Sequence, residues 1–170
     1  MSHLFDGCIE LKSIDLTSFN TDNVKDMSYM FSDCYHLTEI DLFGLNYYKV
    51  ENMSNMFNGC LGLSSLDLRN FQTPLVKDMI GMFGLLSLLT SLDIYSFETS
   101  NVISMAGMFY QMMNLQILDV SKFNTKNVRN MRKMFYNCQN LKTIDVSKFN
   151  SRNVEDFSYM FYGCKSLTNL

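Results

Sequence analysis

The chain is short of the residues that most often carry chemistry. Its 170 residues hold two histidines and one proline, and charged residues make up 18%. The five cysteines form no Cys-x-x-Cys pair, and His3 and His36 are not grouped with them, which excludes a zinc site of ordinary spacing. No Ser/His/Asp set, Walker loop or dinucleotide fingerprint is present, so the motifs that announce an enzyme are missing. No apolar run approaches ~18 residues, which excludes a membrane-spanning helix. No basic segment followed by an apolar run opens the chain, so no signal peptide is read there. The lone proline, Pro74, lies between Phe71 and Val76. It cannot donate to a sheet ladder, so that turn is expected to face solvent rather than form a second strand. Charge is scarce but hydrophobic residues reach 47%, the balance of a packed chain and not a disordered one.

What the chain does have is a period. Ile14-Asp15-Leu16, Ile40-Asp41-Leu42, Leu66-Asp67-Leu68, Leu92-Asp93-Ile94, Leu118-Asp119-Val120 and Ile144-Asp145-Val146 recur every 26 residues without insertion or deletion. A fixed period in this range is the signature of a solenoid, whose units are each too small to bury their own apolar face. Residues 1–170 are therefore expected to form one domain of about six repeats. Met1 and Leu170 both fall inside a repeat, so the expected domain is truncated mid-repeat at both ends. It is the chain of a longer protein's fragment or of a short frame without caps.

Each repeat reads as strand, turn, short helix and return. In residues 11–36, Leu11, Ile14 and Leu16 alternate inward, as in a strand. Phe19 follows, then the turn formers Asn20-Thr21-Asp22-Asn23, then Val24. Asp26, Asn52, Asp78, Ser104, Asn130 and Asp156 are good helix N-caps. Met27, Met30, Phe31 and Cys34 then recur at i, i+3, i+4 and i+7, one face of a helix of about two turns. The fold class expected is α/β: a solenoid with strands on one face and short helices on the other. Phe31, Phe57, Phe83, Phe109, Phe135 and Phe161, begun by Phe5, should stack into an aromatic spine. Cys8, Cys34, Cys60, Cys138 and Cys164 share one column with Leu86 and Met112, which marks them as small apolar core.

The string Leu-x-x-Ile-x-Leu-x-x-Phe followed by Met-Phe-x-x-Cys resembles the BspA-like branch of the leucine-rich repeats, over essentially the whole chain. The resemblance implies a right-handed leucine-rich-repeat solenoid with a parallel β-sheet on one face and short helices on the other. It also implies bacterial cell-surface or secreted proteins that act in adhesion and protein binding, and it supplies no catalytic residues, cofactor or metal.

Two candidate surfaces follow. The acidic ladder Asp15, Asp41, Asp67, Asp93, Asp119 and Asp145 points out of the expected sheet, with neighbouring carboxylates ~4.8 Å apart. Hydrogen bonds from flanking hydroxyls, such as Ser13 and Thr17 to Asp15, or from loop N–H groups would hold such a ladder. Calcium, which needs six to eight oxygens, is poorly served by one carboxylate per coil; an acidic strip for a partner is the third reading. Beside it, the column Thr17, Phe43, Arg69, Tyr95, Ser121, Ser147 varies. Phe43, Arg69 and Tyr95, ringed by Glu39, Tyr47 and Tyr48, carry interface-type chemistry. Residues 1–115 hold 5 Lys/Arg against 13 Asp/Glu, and residues 116–170 hold 9 against 4. This asymmetry suits head-to-tail self-association. The basic cluster Lys122, Lys126, Arg129, Arg132 and Lys133 lacks a base-stacking motif, so no nucleic-acid partner is expected. The function expected is a non-enzymatic module that binds a protein or surface glycan at the cell surface. Alternatives are an intracellular interaction scaffold and a structural spacer in a longer array.

Overall fold

The computed structural model describes residues 1–170 throughout. Successive 26-residue units lie one on the next. Isolated parallel bridges join Asp26 to Asn52, Asn52 to Asp78, Asp78 to Ser104, Ser104 to Asn130 and Asn130 to Asp156, which sets the register of the stack.

The expected α/β class is overturned, because no residue is helical. The stretch from Met27 to Cys34 and its equivalents are chains of overlapping turns. Met30 N–H bonds to Met27 C=O, Ser32 to Tyr29 and Cys34 to Phe31, each three residues back. The intervening N–H groups leave the coil altogether: Met27, Tyr29, Phe31 and Asp33 donate to Asn52, Ser54, Met56 and Asn58 at 2.7–2.9 Å. Four such bonds cross each of the six junctions, the first supplied in part by the amino terminus of Met1. Two left-handed residues per coil make this geometry, at the columns of Tyr29 (φ 56°) and Asp33 (φ 56°).

The reason helices are excluded is spacing. The spine rings Phe5, Phe31, Phe57, Phe83, Phe109, Phe135 and Phe161 stack with centroids 5.4–6.0 Å apart. Side-by-side helices need about 8–10 Å between axes. Turns that send alternate N–H groups across the junction fit the shorter distance and satisfy the backbone between coils.

The expected sheet is reduced as well. Only β1 (Ser91–Leu92) and β2 (Ile117–Leu118) pair, in parallel register, with one further bridge from Thr143 to Asn169. The in-out alternation nevertheless holds there: Leu92 and Ile94 are buried and Asp93 is exposed.

The core is one continuous cluster built from the Met, Phe, Val and Leu columns. A buried threonine column ties coils together. Thr21, Thr73, Thr99 and Thr125 each donate to a carbonyl of the next coil and accept that residue's own N–H, as Thr21 does with Asn46. The second coil departs from this plan. Leu45 stands where other coils have Phe19, Phe71 or Phe97, and Tyr47 stands in the threonine column. Tyr47 turns inward, 2% exposed, with its ring centroid 4.0 Å from that of Phe71 and its hydroxyl on Leu42 C=O. It restores the aromatic volume that Leu45 lacks. Tyr47 is thus a core residue, and its expected place among the outward binding residues is corrected.

Candidate functional site

Side-chain-capped turns, up to three in a coil, fix its exterior. In the acidic ladder, each Asp Oδ1 accepts the N–H two residues on: Asp15 from Thr17, Asp41 from Phe43, Asp67 from Arg69, Asp93 from Tyr95, Asp119 from Ser121 and Asp145 from Ser147, at 2.8–3.1 Å. The Thr17 hydroxyl also donates to Asp15. The hydroxyls of Thr17, Ser121 and Ser147 first, and the backbone N–H groups of the same residues second, favour the charged form, so Asp15, Asp119 and Asp145 are held below the usual carboxylate range. Asp67 falls to about 2, through the Arg69 side chain first and its backbone N–H second. No three His, Cys, Asp or Glu side chains converge on one point.

The same bond recurs in the column expected to cap helices. Asp26, Asn52, Asp78, Asn130 and Asp156 accept from the residue two positions on, and Ser104 does so more loosely at 3.5 Å. They cap turns instead of helices. A third set uses Asn20, Asn46, Asn124 and Asn150.

The varying column is placed outward. Phe43 is 75% and Tyr95 67% exposed. Between them Arg69 is exposed but folds back on Asp67, with Nη2 2.6 Å from Oδ2. Tyr48 is exposed, its N–H bound to Asn46. Beside Tyr95, the Lys122 ammonium lies 4.9 Å from the ring centroid. A hollow of about 260 Å³ is lined there by Asp93, Tyr95, Ile117, Asp119 and Lys122. Ile117 is 70% exposed, in a column otherwise filled by Ser13, Glu39, Ser65, Ser91, Thr143 and Asn169. Sequence reasoning passed over it, although that column contrast marks it.

The basic cluster of the fifth coil is dispersed. Arg129 pairs with Glu155 at 3.1 Å and Arg132 with Asp156 at 3.7 Å. Lys133 reaches over the Tyr136 ring, 5.2 Å from its centroid. On this turn-ladder face lies an open groove of about 480 Å³, lined by Asn55, Ile80, Gly81, Ala106, Gly107, Tyr110, Gln111, Arg132, Lys133 and Tyr136. Sequence reasoning missed it. The available signal was the pair Gly81 and Gly107 in a column otherwise holding His3, Tyr29, Asn55, Lys133 and Tyr159.

The cysteines are free thiols, and no disulfide forms. Cys34, Cys60, Cys138 and Cys164 each donate to a phenylalanine carbonyl of the preceding coil at 3.0–3.1 Å. Burial pushes Cys34 up to about 11 and Cys138 up to about 12.

No helix is long and apolar enough to cross a membrane. No curated protein matches the chain. Among solved structures, a leucine-rich repeat protein from Bacteroides ovatus ATCC 8483 is similar, with a TM-score of 0.65 and 19% identity over 99% of this chain and 39% of that one. A leucine rich cell surface protein from Faecalibacterium prausnitzii A2-165 aligns at a TM-score of 0.36 and 17% identity, over 99% of this chain and 61% of that one. The chain therefore spans less than two thirds of either protein. The first likeness places the coil stack among leucine-rich-repeat folds. A family model described as "Mycoplasma protein of unknown function, DUF285" matches residues 1–88 and 62–170. Together these two stretches account for the whole chain, which belongs to the DUF285 family.

Proposed function

We propose that the chain is a non-enzymatic binding module of a bacterial surface protein, a rigid coil stack whose varying exterior columns meet a protein or glycan. One observation carries the reading. At the column of Thr17, Phe43, Arg69, Tyr95, Ser121 and Ser147 the backbone N–H is tied to an aspartate in every coil. The backbone is thus held identical while the side chain ranges from serine to phenylalanine. Nothing in the packing asks for Phe43 or Tyr95, which stand in solvent. Exposed aromatics on a rigid frame are the residue types that dominate interface energetics. The surface location rests on the resemblance to BspA-like repeats.

The test replaces Phe43, Arg69 and Tyr95 by Ser together and screens wild type and variant on protein and glycan arrays. The variant is expected to keep its thermal midpoint within a few degrees and to lose the wild-type ligands. Unchanged binding would move the functional surface elsewhere. Location is checked by protease treatment of intact cells that carry the gene, which should remove the module if it is outside.

A further inference from the structure

The groove on the turn-ladder face arises from three glycines and one tyrosine. Tyr110, Tyr136 and Tyr162 share a column, and the last two stack at 5.3 Å with planes 11° apart. Tyr110 does not continue that stack. It leans the other way, over Gly84, where a Cβ would collide with its ring. Its hydroxyl reaches Asn58 in the coil beyond, with Asn58 Nδ2 donating to it at 3.0 Å. The step from Tyr110 to Tyr136 is therefore left open. Gly81 and Gly107, both left-handed at φ 59° and 61°, put no side chain across the opening.

The result is a groove of about 480 Å³, within the ~300–1,000 Å³ range of small-ligand sites. Two aromatic rings, Tyr110 and Tyr136, line it. Its lining contains two cations and no acid. Arg132 is held by Asp156, whereas Lys133 makes no ion pair and rests against Tyr136. The side-chain amides of Gln111 and Asn55 supply further hydrogen-bonding groups. Aromatic faces suit the C–H face of a sugar ring, amides suit its hydroxyls, and an unpaired ammonium suits a carboxylate. An acidic peptide would use the ammonium but would leave the paired rings and glycine floor without purpose.

We propose that this groove binds a carboxylated pyranose of an acidic glycan, its ring flanked by Tyr110 and Tyr136 and its carboxylate on Lys133. The site lies apart from the Phe43–Tyr95 column and does not depend on it. The probe is trigalacturonate, compared with neutral cellotriose and with hexaglutamate, followed by calorimetry and by amide NMR shifts of the full chain. Trigalacturonate is expected to shift the Gly81, Gly107 and Gln111 amides, and cellotriose to bind far more weakly. K133Q should weaken trigalacturonate about tenfold, the scale of one lost charge-assisted hydrogen bond. G107N should abolish binding, since Asn55 shows that this column takes an asparagine at the same left-handed φ; its Cβ would come to 3.3 Å from the Tyr110 ring, so its thermal midpoint is measured alongside. The variant lacking Phe43, Arg69 and Tyr95 should bind trigalacturonate as wild type does, which separates failure of this site from failure of that surface. Several results would overturn the proposal: no shifts at millimolar trigalacturonate, equal binding of cellotriose, binding of hexaglutamate alone, or wild-type affinity in both K133Q and G107N. If G107N does not fold, K133Q with the neutral sugar decides.

Discussion

At the residue scale, the polar side chains of this chain mostly serve its own backbone. No buried side-chain polar atom lacks a partner. The acidic ladder illustrates the economy: a column of like charges is tolerated because each carboxylate accepts the N–H that its own turn leaves free. Four of the five thiols work similarly, Cys34, Cys60, Cys138 and Cys164 each donating to the carbonyl of a spine phenylalanine. Their burial has a pH consequence. A thiol raised above its ordinary value keeps its proton in the folded state after the unfolded chain has lost its own. Stability from this source is complete below pH 9.0 and falls as pH rises from there toward about 11 at Cys34 and about 12 at Cys138. Thermal midpoints measured from neutral to strongly alkaline pH should therefore decline more steeply in wild type than in a C34A/C60A/C138A variant. Parallel profiles would show that the thiols do not drive the alkaline loss.

At the element scale, the turn ladder makes a prediction opposite in sign to that of a helix. Gly59 and Leu85 occupy one column, both left-handed, at φ 74° and 66°. In a helix interior, Gly→Ala stabilises by about 1 kcal/mol. Here Gly59→Ala should cost about 1–2 kcal/mol from the left-handed backbone, and its Cβ would also meet the Asp33 carboxylate. Leu85→Gly releases the same strain and, after the entropy of the added glycine, should change stability by less than about 1 kcal/mol. Urea melts of the two variants check both. A stabilising Gly59→Ala would restore the helix. In the column Asp33, Gly59, Leu85, Gln111, Asn137 and Gly163, Gly or Asn in three of six coils suits a left-handed stop, so this position was legible in part. The Tyr29 column carries the same mark at Asn55, Gly81 and Gly107, but Tyr29 and Lys133, at φ 56° and 57°, obscure it and are held there by the bonds to the next coil.

At the scale of the whole molecule, the turn-ladder face is polar along its length, while bonds such as Glu51 N–H to Lys25 C=O run the other way elsewhere. In the turn ladder every junction has N–H groups of one coil donating to carbonyls of the next, never the reverse. In the last coil the N–H groups of Phe157, Tyr159, Phe161 and Gly163 make no backbone bond, and in the first the carbonyls of Ser2, Leu4 and Asp6 accept none. The donor row lies in the basic part of the sequence and the acceptor row in the acidic part, so peptide and side-chain charges reinforce each other. Apolar side chains stand open at both ends, Leu4 at 44% and Leu170 at 68% exposed. Residues 1–170 in isolation should therefore associate head to tail, more strongly at low salt because screening weakens end-to-end attraction. Light scattering across a salt series should show mass rising as salt falls; a strict monomer at high concentration and low salt would refute it.

The 26-residue period, the inward columns and the outward aspartates were determined by sequence alone, because identical spacing forces identical coils and apolar columns must meet between them. The choice between helix and turn ladder was not. Met27, Met30, Phe31 and Cys34 point inward under either geometry, and Asp26 accepts the N–H of Ser28 in either. Only the stacking decides, by bringing phenylalanine rings to 5.4–6.0 Å, a separation that helices cannot share. Tyr47 looked like a surface aromatic until Leu45 left a gap in the core for it to fill. The groove beside Lys133 likewise depends on Tyr110 crossing Gly84 to reach Asn58. That contact joins residues 52 apart in sequence, and it exists only once three coils lie on top of one another.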